Sequence, residues 1–196
     1  MPLALQGAGV PKEKLAALTT IMMPISMVAQ AYVSKWTVGA SAKPLELWLR
    51  AYKGRLLVGG LLVGLVHAIG AAGGGGGGPL PAWIYALGLV ASGSSAVVSS
   101  VMFVSQMAFF NGVSDPKIGG TYMTMLNTLS NLGGQWPGTV VLQTKAALEP
   151  MPFGPGVDPF TVVTSGSLVL GVAWLALMSG RVRKLQAMPL ASWHTS

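Results

Sequence analysis

Thr124, Asn127, Asn131 and Gln135 recur at intervals of three, four and four residues in a stretch that is otherwise apolar or small. On an α-helix this spacing aligns the four side chains along one face, with Thr128 and Gly134 flanking them. A carboxamide both donates and accepts hydrogen bonds and carries no charge. Such a ridge can engage a polar ligand or a neighbouring helix without the cost of burying an ion. Two readings stay open: contact between helices, with Gly133 and Gly134 permitting close approach, or a face lining a wet passage. Ser92, Ser95, Ser99 and Gln106 form a second stripe, and Ser26, Gln30 and Ser34 a third. Serine stripes by themselves indicate packing, but several polar faces in one bundle are most simply explained by a common aqueous path.

Other chemistry is poorly supplied. The chain has no cysteine and only two histidines, His67 and His194. A metal centre or a nucleophile–base pair needs more than one imidazole in the fold, so no catalytic residue, metal ligand or cofactor is expected, and an enzyme is not. His67 reads as an interfacial or packing residue, and it is also the one candidate for proton coupling within the apolar segments. Lys35 and Lys145 stand at the ends of such segments. They suit either snorkelling to headgroups or attraction of an anion.

The elements that must carry these residues follow from composition. In 196 residues, 52% are hydrophobic and only 9% charged, and mean hydropathy is +0.60. Soluble domains average about a quarter charged residues, and disordered chains are polar and charged. An all-α integral membrane protein remains. Five segments meet the demand for about 20 mostly apolar residues: about 15–33, 56–72, 82–110, 120–142 and 160–178, none containing Asp, Glu, Lys or Arg. Residues 1–14 precede this bundle of 15–178 and residues 179–196 follow it. Lys35, Lys43, Arg50, Lys53, Arg55, Lys117, Arg181, Arg183 and Lys184 fall on one side, and Lys12, Lys14 and Lys145 on the other. That bias places the tail in the cytosol and the first segment on the far, lumenal side. The net charge of +7 is thus the signature of a protein in a lipid bilayer, and nucleic acid is not an expected partner. Residues 1–9 lack the basic cluster and apolar core of a signal peptide. Gly73–Gly78 with Pro79-Leu80-Pro81 reads as a turn; the Gly-Lys-Ser/Thr ending of a phosphate-binding loop is missing. Pro150, Pro152, Pro155 and Pro159 make a linker that no helix crosses, and Pro24 and Pro137 are expected to kink their helices.

The stretch Ser114-Asp115-Pro116-Lys117-Ile118-Gly119-Gly120-Thr121-Tyr122-Met123-Thr124-Met125-Leu126-Asn127-Thr128-Leu129-Ser130-Asn131-Leu132-Gly133-Gly134-Gln135-Trp136-Pro137 resembles one family. It is similar to SDPxIGGTYMTLLNTxSNLGGNWPST of the acetyl-coenzyme A transporters of the endoplasmic reticulum membrane, within the major facilitator superfamily. Val10-Pro11-Lys12-Glu13-Lys14-Leu15-Ala16, Ser34-Lys35-Trp36-Thr37, Tyr52-Lys53-Gly54-Arg55-Leu56-Leu57 and Lys184-Leu185-Gln186 extend the likeness. Gln135 stands where the family has Asn and Gly138 where it has Ser. The linker is short and cysteine-free, unlike the long cysteine-bearing loop of animal members. The resemblance implies helices eight to twelve of a twelve-helix carrier, with the N-terminal half missing as a partner, in a multi-pass protein of the endoplasmic reticulum membrane. It further implies that acetyl-CoA moves from cytosol to lumen by alternating access in the complete protein. The ridge of Thr124, Asn127, Asn131 and Gln135 would line the path with Gln106 and Gln30. Trp136 or Tyr122 would offer a ring to adenine, and Lys35 and Lys145 would attract the anion. The alternatives are a muropeptide permease-like carrier and a non-transporting packing or regulatory membrane protein.

Overall fold

The computed structural model describes residues 12–39, 42–71, 82–150 and 159–194. Residues 1–11, the poly-Gly turn and most of the Pro-rich linker lie outside the described residues. Those described form five long helices: α1 Lys12–Thr37, α2 Pro44–Ala71, α3 Ala82–Val113, α4 Gly119–Leu148 and α5 Pro159–Gln186. A 3-10 turn, Leu190–Ser192, follows. Each helix falls on one of the expected apolar segments, but all begin or end beyond it. The largest extension is Pro44–Arg55, where Leu45, Trp48, Leu49, Tyr52 and Leu56 keep an apolar stripe at helical spacing while Arg50, Lys53 and Arg55 occupy other faces. Hydropathy ends at these charges, whereas the hydrogen-bond ladder does not.

Of the described helices, Ala86–Val113 and Pro159–Gln186 are long and apolar enough to cross a membrane. The cations of α2 and the Thr and Asn side chains of α4 lower the hydropathy of those two helices. Pro24 and Pro137 both lie inside continuous helical spans.

The helix starts and connections are locally specified. Pro44 and Pro159 open α2 and α5, where a missing N–H costs nothing. The Leu45 N–H donates across the fold to Gln186 Oε1 at 2.8 Å, so the last residue of α5 caps the first turn of α2. Between α3 and α4, Asp115 is 2% exposed and its Oδ1 accepts the Lys117 N–H at 2.8 Å. The Ile118 N–H donates to the Asp115 carbonyl. Ser114 Oγ donates to the Phe110 carbonyl at 2.8 Å. The Ser-Asp-Pro part of the motif thus builds a turn.

α3 packs against α2 and α1, and α2 also packs against α5; α4 touches α5 and α3 only lightly. At the α2–α5 crossing two glycines admit the facing leucines: Gly59 lies against Leu168 and Gly171 against Leu56 and Tyr52. Leu49, Ala51, Leu65, Ala91 and Val113 are buried, while Met23, Leu61, Leu132, Leu170 and Leu177 are among many exposed large apolar side chains. Exposed apolar surface on that scale fits a lipid-facing molecule.

Candidate functional site

α4 carries the carboxamide ridge, and none of its residues is buried. Thr124, Asn131 and Gln135 are exposed and Asn127 is half-buried. The hydroxyls satisfy themselves within the helix: Thr124 Oγ1 donates to the Gly120 carbonyl and Thr128 Oγ1 to the Thr124 carbonyl, each at 2.8 Å. The side-chain amides of Asn127, Asn131 and Gln135 have no hydrogen-bond partner among the described residues. Four residues advance a helix by about 6 Å, so three unsatisfied amides stand like rungs about 6 Å apart.

The remaining expected residues divide. Gln106 reaches α4 from α3, its Nε2 donating to Ser130 Oγ, which places it at the edge of the ridge as a tether between the two helices. Gln30 is half-buried on α1, whose main partner is α3. Trp136 is 60% exposed and Tyr122 is half-buried. At 3.6 residues per turn they lie roughly 140° and 180° around α4 from Asn131, so neither ring shares the ridge. Lys145 does share that face, about 21 Å beyond Asn131, and pairs with Glu149 at 3.5 Å. Lys35 is exposed in the last turn of α1, at the end of the bundle opposite Lys145. Gly133 and Gly134 face open space; no helix among the described residues uses them for close approach. His67 is exposed on α2. Beside the ridge, Gly120, Thr121, Thr124, Met125, Thr128 and Leu129 line a shallow depression of about 740 Å³.

Three serines of these stripes bond into their own helices. Ser26 Oγ donates to the Met23 carbonyl, Ser34 Oγ to Ala31 and Ser92 Oγ to Gly88.

Two assemblies were missed in the sequence. Trp48 stacks on Tyr52 with centroids 5.3 Å apart, and Trp174 meets both edge-on at 5.8 and 5.2 Å. The i, i+4 spacing of Trp48 and Tyr52 signalled half of this cluster, but nothing in sequence joins Trp174 to it. At one end of the bundle, Thr37, Pro44, Val113 and Gln186 surround a depression of about 520 Å³ with Phe109 and Trp193. The Trp193 ring meets Phe109 edge-on at 5.8 Å. The ends of α1, α3 and α5 and the start of α2 therefore share one end.

Comparison with known proteins is consistent with these features. The family model for acetyl-coenzyme A transporter 1 matches residues 43–149, a span that contains the whole ridge. An uncharacterized protein of Schizosaccharomyces pombe is 35% identical over 143 residues, 69% of this chain and 24% of that protein. An uncharacterized membrane protein of Saccharomyces cerevisiae is 28% identical over 159 residues, 68% of this chain and 28% of that protein. This chain spans about a quarter of the length of these curated relatives. No solved structure matches. The apolar helices and the transporter family identify a membrane protein. With more than half of its length matched, the chain belongs to the acetyl-coenzyme A transporter family.

Proposed function

We propose that the chain forms the C-terminal part of a non-enzymatic acetyl-CoA carrier of the major facilitator type. In the complete protein it moves acetyl-CoA from the cytosol into the endoplasmic reticulum lumen by alternating access, rocking against the half of the carrier that precedes it. All five helices span the membrane, and the basic end with the C-terminal tail faces the cytosol. The observation that carries this reading is the uncharged, open carboxamide ridge on α4, inside the region matched by the family. Amides left unpaired in hydrocarbon are costly, so a face this polar calls for water or cargo. A purely packing role would put the same amides against neighbouring helices, and no helix among the described residues covers them.

The test is uptake of labelled acetyl-CoA into proteoliposomes holding the complete carrier, with and without Asn131→Leu. Saturable uptake that falls in the variant at normal expression supports the reading. Unaltered uptake removes the ridge from the path. Inhibition by anhydro-muropeptide in place of acetyl-CoA would transfer the chain to the permease branch.

A further inference from the structure

We propose that Asn127, Asn131 and Gln135 form a ladder that binds the pantetheine arm of the substrate. This rests on the acetyl-CoA reading and assigns the ridge to one portion of that molecule. The phosphates of acetyl-CoA demand cations, and the ridge has none until Lys145, about 21 Å beyond Asn131 and already paired with Glu149. The arm is different: it is neutral, extended and carries two secondary amides. Each secondary amide has one donor and one acceptor, and each carboxamide can answer both.

The spacing agrees as well. Successive amides of the arm lie roughly 5 Å apart by bond geometry, against a rung spacing of about 6 Å. The third rung falls one step along, at the acetyl thioester carbonyl, where a carboxamide N–H donates. The neighbouring threonines do not compete, because Thr124 and Thr128 spend their hydroxyl hydrogens on backbone carbonyls. The amides of this face keep both donor and acceptor unpaired among the described residues, whereas the threonine hydroxyls keep acceptor capacity alone.

The experiment measures inhibition of acetyl-CoA uptake by two fragments, free pantetheine and adenosine 3′,5′-bisphosphate, in proteoliposomes of the complete carrier. Asn131→Leu is expected to weaken pantetheine inhibition about tenfold, the loss on leaving one bound amide unpaired. Inhibition by the bisphosphate should stay unchanged, and Asn131→Gln should restore pantetheine inhibition. Equal weakening of both fragments, or of neither, overturns the ladder. Asn127→Leu repeats the comparison should Asn131→Leu fail to reach the membrane. Pantetheine binding is also followed directly by equilibrium binding of radiolabelled pantetheine to the purified carrier. Asn131-dependent pantetheine binding in a carrier that takes up no acetyl-CoA would uphold the ladder and reject the transport reading. Absence of any pantetheine binding would overturn the ladder even where uptake is robust.

Discussion

Gly171→Val should unlock the α2–α5 crossing, and its cost can be worked from the contacts there. A Cβ at Gly171 would stand 2.7 Å from Leu56 Cδ2 and 3.1 Å from Tyr52 Oη. Carbon contacts settle near 3.5–4.0 Å, so about 1 Å of movement is needed before the two valine methyls are placed. Leu56 can turn its end away. Tyr52 is less free, because its ring is held between Trp48 and Trp174 and its hydroxyl donates to the Gly171 carbonyl at 3.4 Å. Overpacking of this kind costs about 1–3 kcal/mol, and the better helix propensity of valine over glycine returns a few tenths. The net loss is about 2 kcal/mol, roughly a 30-fold fall in the folded-to-unfolded ratio. Gly166, on the same helix with nothing within 4 Å, is the control, and Gly166→Val should be close to neutral. Adding Leu56→Ala to Gly171→Val should recover part of the loss, as coupled neighbours do. The assay is denaturant unfolding of the purified protein in detergent, followed by tryptophan fluorescence. Equal midpoints for the Gly171 and Gly166 variants, or no recovery with Leu56→Ala, would refute the reasoning.

Two further substitutions probe the interior and the helix ends. Ser105 is fully buried, and its Oγ has no partner among the described residues. Ser105→Ala removes an unpaired hydroxyl and should be neutral or stabilising by about 1 kcal/mol, so a raised or unchanged unfolding midpoint is expected and a clear drop contradicts it. Gln186→Ala exposes the Leu45 N–H and should cost about 0.5–2 kcal/mol, as loss of a helix cap does. Amide exchange in the first turn of α2 should quicken while α3 is unaffected, and unchanged exchange at Leu45 would discount the cap.

The placement of all five helices was legible from uncharged apolar runs between loops, because a chain without water must close its backbone hydrogen bonds within each segment. Their limits were not, since residues such as Arg50 and Lys53 end the hydropathy of α2 without ending its helix. The 3, 4, 4 spacing placed Thr124 through Gln135 on one face. It could not tell that the threonine hydroxyls would bond inward and leave the amides unpaired, since both hydrogen-bond choices share one sequence. Tyr122 and Trp136 were grouped with the ridge by nearness in sequence, and helical rotation carries them around to the other side of α4. The Trp174 contact with Trp48 and Tyr52 joins residues more than a hundred positions apart, so only the packing of α2 on α5 could show it.

The bond between Leu45 and Gln186 spans 141 residues, which has a consequence for biosynthesis. The start of α2 leaves the ribosome long before its cap exists, and that turn must wait with an open amide until the end of α5 has been made and brought alongside. A product that stops short of Gln186 would lack the acceptor that finishes the turn, together with Trp193 at the same end of the bundle. Completion of the second helix is thereby deferred until the end of α5 has been made.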